Sequence, residues 1–315
     1  MNKKIIYILA ALSILITVAV VLVVIKISSI EKMTPQEVIV HLQKDHREFI
    51  PQVPSKMDFC GEEVPLNDFD VYERMERELL VNVHWSSATI LYLKRANRWF
   101  PIIEPILKRN GIPNDFKYLA IIESGLTNAV SPAGAAGFWQ FMAPVAKQYG
   151  LEVYDKIDER YNLEKATQAT CRYLKEAFAK YGSWTMAAAS YNFGMNGIDK
   201  QIGRQRSRNY YNLYLVEETS RFVFRLLAIK EIFSDPYKYG FNIDESELYK
   251  AIETKEIIIK KEIKDLALFA KENGINYKII KIFNPWIRDN FLPNPNKKAY
   301  SIKIPIDGEI EILSE

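Results

Sequence analysis

Glu123 is the residue of this chain best placed for acid–base chemistry. It follows the apolar run Leu119-Ala120-Ile121-Ile122 and precedes Ser124 and Gly125. Pro113 and Asn114 read as a helix start and Gly125 as its stop, so the spacing predicts Glu123 in the last helical turn. There the negative end of the helix dipole and the apolar neighbours both disfavour a charged carboxylate. Both effects raise its pKa above the free value of about 4.3. A carboxyl still protonated near neutral pH can protonate a leaving-group oxygen. An isolated Glu at a frayed helix end reads more readily as a solvent-facing residue, so the surroundings have to overturn that reading.

From Ser124 to Leu151 the chain holds no Asp or Glu. Two carboxyl groups are the usual equipment for cutting a glycosidic bond. A site built on Glu123 therefore needs a partner from further on (Glu152, Asp155, Asp158 and Glu159 are available) or a substrate that brings its own nucleophile. Gly134, Gly137, Trp139, Gln140 and Met142 set small residues, aromatics and an amide side by side, as a sugar-binding cleft requires and as a plain core also does. Further on, Ala187-Ala188-Ala189-Ser190 leads into Tyr191-Asn192-Phe193-Gly194. Small residues let helices approach closely, and Tyr191 and Asn192 offer polar groups at the exit.

The elements that must position these residues are mostly helical. Helical periodicity runs over about 71–83 and 86–108, and from Gly111 to about Phe233 short helices alternate with Gly-containing turns. Ahead of them, residues 1–4 read as a cytoplasmic N-terminus. Residues 5–25 are uncharged and, at about 1.5 Å per residue, long enough to span a bilayer core. The run exceeds a signal-peptide h-region of about 7–15 residues and no A-x-A site follows it, so it reads as an uncleaved signal anchor, which points to the inner membrane. Residues 26–70 read as a tether with Pro51, Pro54 and Pro65. Residues 71–235 form the central unit. After Pro236, strand-like Glu256–Lys260 and Tyr300–Ile304 bracket helical pieces near 262–272 and 276–283, a βααβ order marking a smaller unit over 236–315. The fold class expected is mainly α.

Composition excludes several alternatives. The 315 residues are 48% hydrophobic and 26% charged, ordinary for a globular chain. Three of the 42 Lys and Arg residues (Lys3, Lys4, Lys26) lie in the first 26 positions, which hold no acid, and the remainder balances the 39 Asp and Glu. A balanced chain lacks the electrostatic footprint of a nucleic-acid binder. His41, His46 and His84 are not at metal-ligand spacing, so neither metal nor cofactor is expected. Outside the cytoplasm Cys60 and Cys171 could oxidise. Cys171 sits on the flank of an apolar helical face and reads as a buried thiol, with pairing left open.

Taken in order over about Gly111 to Ile232, these pieces resemble lytic transglycosylases of the soluble-lytic-transglycosylase type, within the lysozyme-like superfamily, and among them the membrane-bound transglycosylase D group. The resemblance rests on Glu123-Ser124, on Gly137-Phe138-Trp139-Gln140 and on Ser190-Tyr191-Asn192, with Val216-Glu217-Glu218-Thr219-Ser220-Arg221 as the closing segment. It implies a lysozyme-like catalytic domain acting on peptidoglycan glycan strands outside the cytoplasm. The bond between N-acetylmuramic acid and N-acetylglucosamine would be cut without water. Glu123 would act first as acid on the glycosidic oxygen, then as base on the muramoyl C6 hydroxyl, which closes a 1,6-anhydro ring. The missing second carboxylate is thereby supplied by the substrate. Ser124 and Ser131 would contact sugar or N-acetyl groups; Gln140, Met142, Tyr191 and Asn192 would line the cleft, Tyr191 also positioning Glu123.

Departures from the pattern are a loop one residue shorter between Glu123 and Ser131, Trp139 for the usual Met, Met142-Ala143-Pro144-Val145 for Met-Pro-x-Thr, and Ser190 for Ala. Asn284-Pro285-Trp286 makes the C-terminal unit resemble a degenerate LysM module, which implies either a hold on peptidoglycan or a structural cap. Lys200, Arg204, Arg206 and Arg208 form a basic loop, fitting stem-peptide carboxylates or simply solvated. The alternatives are a hydrolytic lysozyme with a distant carboxylate and a catalytically silent peptidoglycan-binding scaffold.

Overall fold

The computed structural model describes residues 12–13, 15–22, 49–306 and 308–309. The chain divides into two units, Met1–Ile50 and Pro51–Glu315. In the first, residues 12–13 and 15–22 are helical with exposed side chains. Among the described residues no helix is long and apolar enough to cross a membrane. The rest of the 5–25 segment expected to be an anchor lies outside the described residues.

The second unit is helical at its centre. Helix α1 (Phe69–His84) starts where the Asp68 carboxylate accepts the amides of Asp70 and Val71. Helix α2 (Ser86–Arg109) continues through Pro101 and Pro105. A 3-10 turn at Asn114–Phe116 leads into α3 (Lys117–Ser124), which ends at Gly125 in the left-handed conformation with φ 61°. Then come α4 (Ala143–Gln148), the hairpin β3 (Val153–Tyr154) and β4 (Ile157–Asp158), α5 (Leu163–Tyr181), α6 (Trp184–Phe193), α7 (Met195–Gln205) and α8 (Glu217–Ser234). Pro144 lies in the first turn of α4, so a helix starts there despite the altered motif.

Helix α8 packs against α1 and α6, while α5 packs against α2 and α6. Ala187, Ala188 and Ala189 on α6 are fully buried, so their small size serves close helix approach. Trp139 is also fully buried and donates its indole N–H to Thr167 Oγ1 at 3.0 Å, so it belongs to the core rather than to a sugar platform.

Part of the stretch expected to be a tether is packed from Pro51 onward. A short hairpin of β1 (Asp58–Phe59) and β2 (Glu62–Glu63) buries Phe59 completely against Phe116, their rings meeting edge-to-face with centroids 5.3 Å apart. The Glu62 carboxylate accepts from Ser183 Oγ, Thr185 Oγ1 and the amides of Trp184 and Thr185, capping the start of α6. Cys60 and Cys171 are both free, so the pairing left open by the sequence is not formed.

The C-terminal unit has the expected βααβ order. Strand β5 (Thr254–Ile259) pairs antiparallel with β6 (Tyr300–Pro305), Ile257 opposite Ile302, and between them lie α9 (Leu266–Glu272) and α10 (Tyr277–Phe283). Its core, with Leu266, Ile280, Ile287 and Ile302, also takes in Ala136, Ile157 and Tyr161 from the helical unit.

Candidate active site

Helix α3 delivers Glu123 one residue before its end, into a cleft of about 460 Å3. The opposite wall is the first half of α2, with Ala88, Tyr92 and Arg95 one helical face apart at i, i+4 and i+7. Gly125 is required at the turn. Besides its positive φ, a Cβ there would stand 2.9 Å from the Tyr92 ring. A second hollow of about 440 Å3 shares Ala88 and Tyr92 with the first and continues past Trp85 to Glu78, Glu218, Arg221 and Arg225.

Among the described residues the Glu123 carboxyl forms no ion pair. Burial raises its pKa to about 8, the Glu218 charge adds to the rise, and the Arg225 guanidinium opposes it. The helix end itself is largely neutralised. Arg225 donates to the Ile122 carbonyl at 2.9 Å and Arg95 to the Gly125 carbonyl at 3.0 Å. These guanidiniums offset the exposed carbonyls that a C-terminus would otherwise present. Desolvation, rather than the dipole, therefore keeps the carboxyl protonated near neutral pH.

Ser124 lines the same cleft, but its hydroxyl is committed to the backbone. It lies 3.0 Å from the Ala120 carbonyl and 2.9 Å from that of Phe138, and accepts the Thr127 amide at 3.3 Å. Gln140 has φ 48° and donates its amide to the carbonyls of Ala129 and Gly137 at 3.0 and 2.8 Å. Ser131 accepts the Ala135 amide at 3.0 Å, closing its own turn. Met142 is 41% exposed and extended, just before α4. Tyr191 donates to the Trp139 carbonyl at 2.8 Å. Burial first and the Glu123 charge second hold its phenol protonated. Asn192 donates to Glu218 at 3.1 Å and accepts from Thr219 Oγ1 at 2.8 Å, tying α6 to α8.

Glu123, Ser124, Tyr191 and, through Glu218, Asn192 are thus brought together; Gln140 reaches them through Ala129. Ser131 and Met142 join the group only through their loop. Tyr92, Arg95 and Arg225 were not among the residues singled out from the sequence, and Glu218 entered only as part of the closing segment, with no role at the site. Helical spacing carried their signal, since Glu218 and Arg225 share one face of α8 at i and i+7. That face comes beside Glu123 only once α8 is packed.

Of the four carboxylates downstream of the loop, Asp155 is exposed and does not line the Glu123 cleft, and the other three are engaged elsewhere. Asp158 pairs with Arg160 at 2.7 Å, Glu159 with Lys165 and the Glu152 amide, and Glu152 with Lys298 and the Tyr300 hydroxyl. Among the described residues no cluster of His, Cys, Asp and Glu could hold a metal ion.

Comparison with known families places this geometry. Residues 100–214 match the transglycosylase SLT domain and residues 255–308 the soluble lytic transglycosylase C-terminal LysM-like domain. The chain carries an SLT domain. The membrane-bound lytic murein transglycosylase D of Escherichia coli K12 is 26% identical over 247 residues, covering 74% of this chain and 52% of that protein. A putative tributyltin chloride resistance protein of an Alteromonas species is 21% identical over 136 residues, covering 42% of this chain and 66% of that protein. The chain thus spans about half the length of the Escherichia coli relative. Among solved structures, the 70 kDa soluble lytic transglycosylase of Escherichia coli is similar at TM-score 0.40 and 16% identity, covering 56% of this chain and 33% of that one. Glu123 to Asn192 all lie inside the SLT domain, whereas Tyr92, Glu218 and Arg225 lie outside the matched residues.

Proposed function

We propose that this protein is a peptidoglycan lytic transglycosylase that cuts the β-1,4 bond between N-acetylmuramic acid and N-acetylglucosamine and leaves 1,6-anhydro ends. One observation carries the reading: a cleft holds a single carboxyl, Glu123, whose pKa is raised to about 8 and which has no ion-pair partner among the described residues. Protonated at neutral pH, Glu123 gives its proton to the glycosidic oxygen as the bond breaks. As carboxylate it then takes the proton of the muramoyl C6 hydroxyl, whose oxygen bonds C1 and closes the ring. The acid is regenerated, and no water enters the product. Tyr191, held to the Trp139 carbonyl, and Asn192, held to Glu218, fix the wall across from α2.

The hydrolytic reading needs a second carboxylate free to activate water. Glu152, Asp158 and Glu159 are bound up in ion pairs and backbone bonds, Asp155 does not line the Glu123 cleft, and Glu218 accepts from Asn192, which favours the transglycosylase. In the cell the apolar segment 5–25 would hold the enzyme at a membrane with the SLT domain on the extracytoplasmic side. Cell fractionation with alkaline extraction tests that placement. The activity is tested by digesting purified peptidoglycan with the wild type and Glu123→Gln. Wild-type products should be lighter by one water than hydrolytic ones and resistant to borohydride, and the variant should lose about 10²–10⁴-fold in rate. Reducible products would establish a lysozyme instead, and undiminished activity of the variant would remove Glu123 from the chemistry.

A further inference from the structure

The loop between α3 and α4 carries Ser131 and Gln140 and is fastened from two sides. On the cleft side its Phe138 and Trp139 carbonyls accept from Ser124 and Tyr191. On the other side stands Arg160, which the reaction scheme does not use. Its Nη1 donates to the Gly134 carbonyl at 2.8 Å and to the Phe141 carbonyl at 3.0 Å, gripping both arms of the loop. Its Nε and Nη2 meet Asp158 at 2.9 and 2.7 Å, and the two side chains are only 11% and 10% exposed. Backbone contact completes the fit, because a Cβ on Gly137 would come 2.0 Å from the Arg160 carbonyl.

The Arg160 anchor is itself held by the C-terminal unit. The Asp158 amide donates to the Trp286 carbonyl at 2.9 Å, and Arg288 donates its amide to the Lys156 carbonyl at 2.9 Å. Lys156 pairs with Asp289, and the Arg288 guanidinium stacks 4.1 Å from the Tyr161 ring centroid. A nearly buried, multiply bonded guanidinium fixes geometry because all its donors are satisfied only in one arrangement.

We propose that Arg160 is a positioning residue: it holds the Ser131–Gln140 loop in register with Glu123, and the C-terminal unit holds Arg160 in turn through the β3–β4 hairpin. The proposal rests on the transglycosylase reading for its kinetic consequence and on geometry alone for its structural one. The C-terminal unit then contributes to turnover of short soluble glycans, for which retention on the cell wall is irrelevant.

The test uses the full chain with Arg160→Met and Arg160→Lys. Hydrogen exchange at Ala136 and Gly137, whose amides bond Phe141 and Ala129, reports the loop directly. In Arg160→Met these amides should exchange at least about tenfold faster while α5 and α8 keep their protection. On a soluble glycan of alternating N-acetylglucosamine and N-acetylmuramic acid, KM should rise about tenfold or more with a smaller change in kcat. The basic limb of the pH profile should stay in place, and Arg160→Lys should restore only part of the effect. Wild-type loop exchange and KM in Arg160→Met would overturn the proposal. So would uniform loss of protection with a rate falling only in proportion to folded protein. A wild type that leaves the glycan intact, while the loop still loosens in the variant, would defeat the transglycosylase reading and leave the positioning role standing.

Discussion

Glu123 owes its acidity to what surrounds it, and the pH dependence follows from that. In the proposed reaction the active form needs the proton, so kcat/KM should fall as pH rises through about 8. Glu218→Gln removes the negative charge that raises this pKa and should move the limb to lower pH. Arg225→Gln removes the opposing positive charge and should move it to higher pH, each by less than about one unit. Limbs that moved the other way would place the ionisation on another group. Stability carries the same signature. The folded pKa is raised from 4.5 to about 8, so stability from the protonated form is complete below 4.5 and is lost as pH rises through 8. Relative to the wild type, Glu123→Gln should therefore gain stability across that window, as thermal denaturation at pH 5 and pH 9 would measure. The acid was legible in the sequence because an apolar run, Glu and a stop glycine lie together. Burial among apolar neighbours was legible there too and is the main cause of its raised pKa; what was not legible is that two arginines from α2 and α8 quench the helix end, because only packing brings them there.

At the scale of elements, the helices and the βααβ unit follow from apolar periodicity, caps and glycine stops, all local signals. The stretch 51–68 was misread because its fixings are distant in sequence: Phe59 against Phe116, Glu62 onto the start of α6, and Lys230 onto Asp58 and Asp115. The Glu62 carboxylate takes four donors at the end of the helix that carries Tyr191 and Asn192. Glu62→Ala should cost about 2–3 kcal/mol, seen as a lower denaturation midpoint at unchanged m-value. Activity below the new Tm should fall modestly through α6. An unchanged midpoint would mean that the hairpin is merely laid against the helices.

The unit from Pro51 onward is packed as one body, because its second core crosses the boundary read after Pro236. Ile157 bridges to Ile287, and Ala136, Ile157 and Tyr161 share a core with Ile280 and Ile302. Ile287 is fully buried, so Ile287→Ala should cost about 2–5 kcal/mol. The loss should appear in one unfolding transition rather than as early melting of the C-terminal unit, which calorimetry resolves. The two-unit pattern was legible as a change of character after Pro236. Their fusion was not, since it runs through the short β3–β4 hairpin, which has no periodicity of its own. The same hairpin holds Asp158 in its pair with Arg160, and under the proposed function the substrate supplies the nucleophile. The direct test is a digest of peptidoglycan in oxygen-labelled water. New muramoyl ends without label, in the anhydro form, are the predicted result; labelled, reducible ends would contradict the account.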